Sequence, residues 1–443
     1  MSNFSRREFG KMAAVVAGAS AVAPALKSGD ALAAPASPAK AAQPVRTTPF
    51  PELPMRFSFE ETQDLVQALQ SNDLNYFHPG SFVERMLSTV KTHFGAKYAV
   101  ATSSGTASLH VAVGGAGIPA GSEVITTPIT DVGTLSAILM QNLIPVFADV
   151  DPMTSHITAK SIEAALTDKT RAVLVVHLVG APVDIEPIAE LCKRRNLVLI
   201  EDCAQALGCT YKGKPLGLFG DIGCFSVNNQ KHITGGEGGF VIVNDEDLYY
   251  RCHNFADKYY DRHKRGDMML RLGVNYRMSE LQGAVVLAQF PKLAGIAAKR
   301  HELGMYLTEQ LKNIPGVIPP VFLPESAPSF FFYQFRIDEA VLKRSRDKFN
   351  EQLKAEGIPG KGGYLPYPLY RAPMFQKKNF FEGGVWPAEL VAGKKYDYTA
   401  VNLPGAELAL KTAVRLTLHE GYSRKDVDDY VAGIRKVAAL KVA

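Results

Sequence analysis

Two acidic residues directly follow a short apolar run in the segment Val198-Leu199-Ile200-Glu201-Asp202-Cys203-Ala204-Gln205. A run that is apolar on both faces is typical of a strand buried in a parallel sheet. In open parallel sheets, ligands bind beyond the carboxyl ends of the strands, which is where Asp202 would lie. A buried carboxylate is costly unless it meets a positive partner, such as a protonated pyridine nitrogen. The alternative for Asp202 is a simple helix N-cap.

Similar apolar runs alternate with helical patterns through the middle of the chain. Strands are predicted over residues 123–127, 145–150, 172–178, 197–202, 223–227 and 240–243. Segments with helical spacing, such as 161–166 and 185–195, separate many of them. This alternation predicts a large α/β domain over residues 55–300, with a mostly parallel central sheet flanked by helices.

The pattern changes after about residue 300. A long helix around residues 300–311 is followed by proline-rich turns, an alternating strand at 331–337 and a helix at 345–356. Ser423 and Asp426 form the capping box of a last helix, which runs to about residue 440. These elements predict a smaller C-terminal α+β domain over residues 301–443.

Composition excludes several classes of protein. The chain has 443 residues, of which 47% are hydrophobic and 21% charged, so most of it can bury a core. A net charge of +5 is too small and too scattered to indicate nucleic-acid binding. The five cysteines, without CxxC or Cys/His spacing, indicate neither a disulfide framework nor a metal site. The longest apolar stretch, residues 12–26, is shorter than the roughly 20 residues of a membrane-spanning helix.

The N-terminus reads as an export signal. Arg6 and Arg7 precede a weakly apolar run that ends in Ala31-Leu32-Ala33, which is the order of a bacterial twin-arginine signal peptide. We therefore predict a signal peptide over residues 1–33, a flexible linker over residues 34–54, and a periplasmic or otherwise exported protein. Twin-arginine export carries folded proteins, which usually implies a cofactor inserted in the cytoplasm. The alternative is an unprocessed N-terminus of a cytoplasmic protein.

Small and hydroxylated residues open a predicted helix at Ser104-Gly105-Thr106. Glycine allows a close backbone approach, and a helix N-terminus presents free N–H groups, so this segment is suited to bind phosphate. Helices are also capped by small residues without any ligand, and the motif alone is weak.

Two later segments carry further candidate residues. Lys231 follows a strand among polar and glycine residues, where desolvation would free its amine to form a Schiff base, although most lysines are solvated surface residues. Asn275 precedes a helix that begins at Ser279, and it either hydrogen-bonds a phosphate or belongs to an ordinary loop.

Taken together, these segments resemble the DegT/DnrJ/StrS family of pyridoxal-phosphate (PLP)-dependent sugar and cyclitol aminotransferases of fold type I. The resemblance extends from about residue 55 to the C-terminus. It rests on Ser104-Gly105-Thr106-Ala107, Ile200-Glu201-Asp202-Cys203-Ala204-Gln205, Phe225-Ser226 with Lys231, Gly236-Glu237-Gly238-Gly239, and Gly273-Val274-Asn275-Tyr276-Arg277-Met278.

The resemblance implies a role for each residue around the cofactor ring. Lys231 would hold PLP covalently and move a proton between substrate and cofactor. Asp202 would pair with the pyridinium nitrogen, and Gln205 would hydrogen-bond the ring hydroxyl. Lys231 and Asp202 are therefore the expected catalytic residues.

The resemblance also implies a phosphate site and an oligomer. Ser104, Gly105 and Thr106, together with the Ser226 hydroxyl, would bind the cofactor phosphate. Asn275 would reach the phosphate of the neighbouring subunit, so the resemblance implies a homodimer with shared active sites.

The expected reaction moves an amino group from an amino acid such as glutamate or glutamine to a keto-sugar or keto-cyclitol. The sequence departs from the family at Asp131, where an aromatic residue usually stacks on the pyridine ring; we expect Asp131 to lie beside the cofactor. Two alternatives stay open: an exported, non-catalytic binding or regulatory protein, and a sugar dehydratase, a branch in which histidine replaces the Schiff-base lysine.

Overall fold

A computed structural model describes residues 43–75, 78–266 and 268–440. The predicted signal peptide, residues 1–33, and the first part of the predicted linker lie outside the described residues. From Pro44 onward the chain forms one compact unit.

The described residues form fifteen α-helices and fifteen strands. The helices are α1 (Phe59–Gln70), α2 (Phe82–Phe94), α3 (Gly105–Ala116), α4 (Val132–Met140), α5 (Ala159–Ala165), α6 (Ile185–Arg195), α7 (Glu246–Ala256), α8 (Glu280–Gln289), α9 (Leu293–Leu311), α10 (Glu339–Leu342), α11 (Arg346–Ala355), α12 (Pro373–Gln376), α13 (Pro387–Ala392), α14 (Pro404–Thr412) and α15 (Arg424–Ala439). The strands are β1 (Tyr98–Thr102), β2 (Glu123–Thr126), β3 (Ile144–Phe147), β4 (Val150–Asp151), β5 (His156–Ile157), β6 (Thr170–Val176), β7 (Val198–Asp202), β8 (Thr210–Tyr211), β9 (Lys214–Pro215), β10 (Ile222–Ser226), β11 (Gly239–Val243), β12 (Val317–Ile318), β13 (Ser326–Ala327), β14 (Tyr333–Ile337) and β15 (Ala413–Leu416).

A seven-stranded sheet with the order β1-β11-β10-β7-β6-β2-β3 forms the centre of the protein. The strands from β10 to β3 run parallel, whereas β11 is antiparallel to both β1 and β10. Strands β2, β10 and β11 are buried along their whole length, as expected for strands inside a sheet that is covered on both faces. The predicted α/β fold with a mostly parallel sheet and flanking helices is confirmed.

A second apolar core lies around the three-stranded antiparallel sheet β12-β14-β15. Helices α9, α11 and α15 contribute to it, and the capping box of Ser423 and Asp426 begins α15 as predicted. Helix α9 crosses the predicted boundary at residue 300, because Leu293 packs in the first core and Leu303 in the second.

Part of the predicted small domain belongs to the first core instead. Buried side chains between Leu369 and Leu410 pack there with the residues of the large sheet. For example, the Tyr398 hydroxyl donates a 2.8 Å hydrogen bond to the Pro145 carbonyl in β3. The linear division at residue 300 therefore does not describe how the chain divides between the two cores.

The last part of the predicted flexible linker, residues 44–54, is fixed on the C-terminal part of the chain. The Arg46 guanidinium donates to Asp426 at 2.7 Å and to Asp429 at 2.8 Å. The Phe50 ring stacks on Tyr430 with a centroid separation of 4.4 Å. A linker prediction from alanine, proline and lysine content is wrong for this stretch, because one arginine and one aromatic ring anchor it. We call residues 44–54 the N-terminal strap.

The stretch Glu280–Leu311 is long and apolar enough, by length and composition, to cross a membrane. Its two helices, α8 and α9, pack against α1, α2 and α15 of the protein.

Candidate active site

A cavity of about 480 Å³ lies beyond the carboxyl ends of β6, β7 and β10. Eight of the nine residues that the sequence assigned to the site line it: Ser104, Gly105, Thr106, Asp131, Asp202, Gln205, Ser226 and Lys231. This is the position at which open α/β sheets bind ligands. The size and position of the cavity suit a cofactor and a small substrate.

Asn275 does not line this cavity. It is exposed, and its backbone forms an isolated bridge with Asp257. Its Oδ1 accepts a 3.4 Å hydrogen bond from the Arg277 amide.

One end of the cavity is the N-terminus of α3. Ser104 caps the helix, and its hydroxyl accepts a 3.0 Å hydrogen bond from the Ala107 amide. Gly105 lies against Ser226: a Cβ at Gly105 would be 2.5 Å from the Ser226 Cβ and 2.7 Å from its Oγ. Only glycine fits so close to Ser226, and the approach brings the Ser226 hydroxyl beside the free N–H groups of the helix. This arrangement fits a phosphate.

Asp202 ends β7 with its carboxylate buried. Its Oδ2 accepts a 2.9 Å hydrogen bond from the Thr134 hydroxyl, and its Oδ1 accepts one of 3.0 Å from the Ala204 amide. Burial raises the pKa of Asp202 despite these donors and the attraction of Lys231. These neighbours do not fully offset the cost of burying the ionised carboxylate. Asp202 is therefore suited to pair with a cationic group in the cavity, such as a protonated ring nitrogen.

Glu201, the other acid of this segment, is also buried but is occupied by the protein itself. Its carboxylate accepts hydrogen bonds from the amides of Gly217, Phe219 and Gly220 and from His177 Nε2. The adjacent acids therefore separate by role: Glu201 orders a loop, and Asp202 faces the cavity.

Lys231 is half-buried, and its Nζ lies 4.3 Å from the centroid of the Phe331 ring. Burial lowers the pKa of this amine, against the opposing attraction of Asp202, Asp131 and Glu237. The Arg56 guanidinium donates a short hydrogen bond to the Lys231 carbonyl and pairs with Glu420. A lysine with a lowered pKa carries more of the neutral amine that nucleophilic attack requires.

Gln205 and Asp131 each use one polar atom within the protein. The Gln205 Oε1 accepts a 2.9 Å hydrogen bond from the Val179 amide, which leaves the Nε2 side of the amide as the donor toward the cavity. Asp131 is the N-cap of α4, and its Oδ1 accepts a 2.8 Å hydrogen bond from the Gly133 amide. Asp131 is exposed at the cavity and has no aromatic ring to stack on a cofactor.

The lining residues that sequence reasoning did not assign to the site include Thr134, Phe331, Tyr364 and Arg415. None belongs to a motif with its own chemical signature. Phe331, Tyr364 and Arg415 come from the C-terminal part of the chain and reach the site only through the tertiary fold. Thr134 alone had a local signal, because it lies one helical turn after the N-cap Asp131.

The buried cysteines near the site show no sign of nucleophilic activation. Burial raises the pKa of the Cys209 thiol to about 12, and it also raises those of Cys203 and Cys224. These thiols stay protonated at neutral pH and pack as small apolar groups.

The donor set and the close approach at Gly105 fit PLP, and the fold and site define a PLP-dependent aminotransferase of fold type I. Residues 57–435 match the sequence profile described as the DegT/DnrJ/EryC1/StrS aminotransferase family. The chain belongs to this family.

Relatives of known name are similar over most of the chain. A Micromonospora echinospora protein named as an L-glutamine:3-amino-2,3-dideoxy-scyllo-inosose aminotransferase is 33% identical over 407 residues, covering 89% of this chain and 95% of that one. The GDP-perosamine synthase of Escherichia coli O157:H7 is 34% identical over 301 residues, covering 68% of this chain and 80% of that one.

Solved structures show the same fold. The aminotransferase of Psychrobacter cryohalolentis superposes with a TM-score of 0.78 at 29% identity, covering 88% of this chain and 99% of that one. NtdA of Bacillus subtilis, solved with bound cofactor PMP, superposes with a TM-score of 0.76 at 23% identity, covering 89% of this chain and 86% of that one.

Proposed function

We propose that this enzyme moves the amino group of an amino acid, glutamate or glutamine, to a keto-sugar or keto-cyclitol. The observation that carries the proposal is the pairing of Asp202 and Lys231 in one cavity, with a buried acid and an amine of lowered pKa. The choice of acceptor is supported by the relatives, whose names specify a cyclitol-like inosose and a nucleotide sugar.

Bound PLP supplies an electron sink that stabilises negative charge at the substrate carbon which carries the amino group. Lys231 would hold the cofactor through Nζ and then, once released, accept and return the proton at that carbon. Asp202 would hold the ring nitrogen protonated. Thr134 and Ala204 fix both carboxylate oxygens for that contact.

The remaining cofactor contacts follow from the cavity walls. Ser104, Gly105, Thr106 and Ser226 would bind the phosphate at the α3 N-terminus. Gln205 would donate from Nε2 to the ring hydroxyl, because its Oε1 is held by Val179.

Transfer of isotope tests the reaction. The enzyme is incubated with ¹⁵N-labelled L-glutamate and with each member of a panel of keto-sugars and keto-cyclitols, with and without a nucleotide. The products are analysed by mass spectrometry. We expect the label in an amino-sugar or aminocyclitol, and none with Lys231→Ala. The exposed Lys299→Ala serves as the matched control and keeps full transfer. Label that reaches only 2-oxo acids would contradict the proposed acceptor.

We further propose that the active unit is a homodimer in which Asn275 enters the partner's cavity. This is supported by the exposure of Asn275, by its absence from the lining of the cavity of its own chain, and by Leu272 nearby, which is 90% exposed. Sedimentation should give a dimer. When Asn275→Asp chains are mixed with Lys231→Ala chains, some active sites of the mixed dimers should contain both native residues and be restored. A monomer with full activity would contradict the arrangement.

We also propose export through the twin-arginine machinery, supported by Arg6 and Arg7 and the Ala31-Leu32-Ala33 site. Cell fractionation should place the wild-type chain in the periplasm and an Arg6→Lys/Arg7→Lys variant in the cytoplasm. Identical fractionation of the two chains would contradict export.

A further inference from the structure

An arginine from the N-terminal part of the chain holds the main chain of Lys231. Arg56 lies two residues beyond the N-terminal strap, and its side chain is buried. Its guanidinium donates a short hydrogen bond to the main-chain carbonyl of Lys231. The Arg56 carbonyl in turn accepts hydrogen bonds of 2.9 Å from Gln289 Nε2 and from Lys292 Nζ. The donor that meets the Lys231 carbonyl is therefore itself fixed in position.

The charge of Arg56 is balanced by Glu420, which follows β15. Arg56 Nε donates a 3.2 Å hydrogen bond to Glu420 Oε1, and Arg300 Nε in α9 donates one of 2.8 Å to Oε2. Burial acts to raise the pKa of Glu420, but Arg300, and to a lesser extent Arg56, lower it overall. The carboxylate thus stays ionised between two cations. A buried network whose charges are paired in this way is rigid.

The same network reaches the other end of the Lys231 side chain. Arg300 Nη1 donates a 3.3 Å hydrogen bond to the Phe330 carbonyl. The next residue, Phe331, has its ring centroid 4.3 Å from Lys231 Nζ. Arg56 therefore holds the main chain of Lys231, and the segment bound by Arg300 carries the ring that Nζ contacts.

We propose that Arg56 is a positioning residue for Lys231, whose hydrogen bond to the Lys231 carbonyl directs Nζ toward the cofactor and the substrate. Arg56 does not line the cavity, so it would act through Lys231 and not on the substrate. The inference rests on the proposed function, in which one amine both holds PLP and moves a proton. Both steps depend on where that nitrogen lies, and a displacement of about 1 Å can slow a reaction about 100-fold. Because a lysine side chain is long and flexible, a fixed main chain limits the positions open to Nζ.

The test replaces Arg56 by methionine, which keeps much of the side-chain volume but cannot donate a hydrogen bond. Glu420 keeps its ion pair with Arg300 in this variant, so the fold should be retained. Arg46→Met is the matched control, because Arg46 also forms ion pairs with the C-terminal part of the chain, at α15, and not a hydrogen bond to Lys231. Both variants should lower the melting temperature, and only Arg56→Met should change the chemistry of Lys231.

The first measurement follows the attachment of PLP and needs no turnover. Attachment forms a C=N bond between Lys231 Nζ and the aldehyde carbon of PLP, and the aldehyde oxygen leaves as water with the two amine hydrogens. Cofactor-free protein is mixed with PLP, samples are reduced with borohydride at timed intervals, and the Lys231 adduct is quantified by mass spectrometry. The rate of attachment should fall about 10-fold in Arg56→Met and stay unchanged in Arg46→Met.

A conservative variant keeps this measurement decisive if Arg56→Met does not fold. Arg56→Lys retains the positive charge and a single donor group, but not the planar fork of N–H groups that reaches Glu420 and the Lys231 carbonyl together. Its rate of PLP attachment should be lower than that of the wild type and higher than that of Arg56→Met.

The second measurement follows proton transfer. L-Glutamate with hydrogen or deuterium on its α-carbon is mixed with the PLP-loaded enzyme, and the loss of the cofactor's visible absorbance is recorded in a single turnover. In Arg56→Met the limiting rate should fall about 10- to 100-fold, while the half-saturating L-glutamate concentration changes less than about two-fold. The deuterium isotope effect should be at least as large as in the wild type, because proton transfer is the step that slows.

Unchanged rates of attachment and proton transfer in Arg56→Met would overturn the assignment. Equal losses in Arg56→Met and Arg46→Met would also overturn it, because both residues would then act only through stability. An isotope effect that falls together with the rate would show that a different step has slowed. If the wild type attaches PLP but transfers no amino group to any acceptor, the proposed function fails, and the rate of attachment still decides the role of Arg56.

Discussion

The hydroxyl of Thr134 donates a 2.9 Å hydrogen bond to Oδ2 of the buried Asp202. Thr130 lies 2.8 Å from the same hydroxyl, and because Thr134 donates to the carboxylate, Thr130 is the donor in that second contact. Two threonines from the α4 region thus orient the carboxylate at the end of β7. The cofactor site depends on a contact between elements that are far apart in sequence.

Thr134→Val should weaken PLP binding about 10-fold, because a hydrogen bond to an ionised group contributes roughly 1.5–3 kcal/mol. The loss also raises the pKa of Asp202 further and reduces its pairing with a protonated ring nitrogen. Equilibrium dialysis of PLP measures the change. Thr92→Val, at an exposed threonine of α2, is the control and should leave binding unchanged. Equal affinities of the wild type and Thr134→Val would show that Thr134 does not support the site.

Gly105→Ala should abolish PLP retention and destabilise the protein by about 1–3 kcal/mol, because the new methyl group meets Ser226 at 2.5 Å. Gly295→Ala is the matched control. Gly295 lies within α9 with open space around it, so alanine there should be neutral or stabilise by about 0.5–1 kcal/mol. Denaturant unfolding and PLP content measure both variants. Normal PLP content in Gly105→Ala would contradict the proposed phosphate site.

Lys231→Met should stabilise the cofactor-free protein. Burial lowers the pKa of Lys231 from its usual 10.5, so the unfolded chain binds more protons between the folded pKa and that value. Stability of the wild type therefore rises with pH across this window, and the gain from methionine shrinks toward pH 10.5. We expect the gain to be largest below the folded-state pKa of Lys231 and to disappear above pH 10.5.

Urea unfolding of the cofactor-free protein at several pH values measures this gain. Lys299→Met, at a lysine that pairs with Glu302 outside the cavity, is the control for the removal of one lysine charge. A gain in Lys231→Met that increases with pH would mean that the amine is stabilised, not penalised, by its surroundings.

Removal of the N-terminal strap should destabilise the protein. A chain that begins at residue 55 loses the ion pairs of Arg46 with Asp426 and Asp429 and the stacking of Phe50 on Tyr430. We expect a loss of about 2–5 kcal/mol relative to a chain that begins at residue 44. Thermal unfolding of the two chains measures it. Equal melting temperatures would show that the strap adds no stability.

Local sequence predicted the large sheet well. Strands such as β7 and β10 are buried, so their apolar runs stand out, and the side chains that follow them identify the site. The strap and the segment from Leu369 to Leu410 were misplaced, because their positions depend on packing against residues far away in the chain. The spacing of polar residues and the proline content of a segment do not predict contacts with residues far away in the sequence.

The site was predictable where chemistry is concentrated in short motifs. Asp202, Lys231 and the Ser104-Gly105-Thr106 segment lie together in the cavity, as the motifs predicted. Thr134, Tyr364 and Arg415 escaped notice because each is an ordinary residue in its local sequence. Their significance comes from burial and from the neighbours that the fold provides. Asn275 lies outside the cavity of its own chain, and its role stays a prediction.

The central claim is that Lys231 holds the cofactor, and borohydride trapping tests it most directly. The enzyme is loaded with PLP, reduced with borohydride to make any covalent link permanent, digested and mapped by mass spectrometry. We predict one modified lysine, Lys231, which carries the pyridoxyl phosphate mass, and no modification when an amino donor is added before reduction. A modification on another lysine, or none in the PLP-loaded protein, would contradict the account.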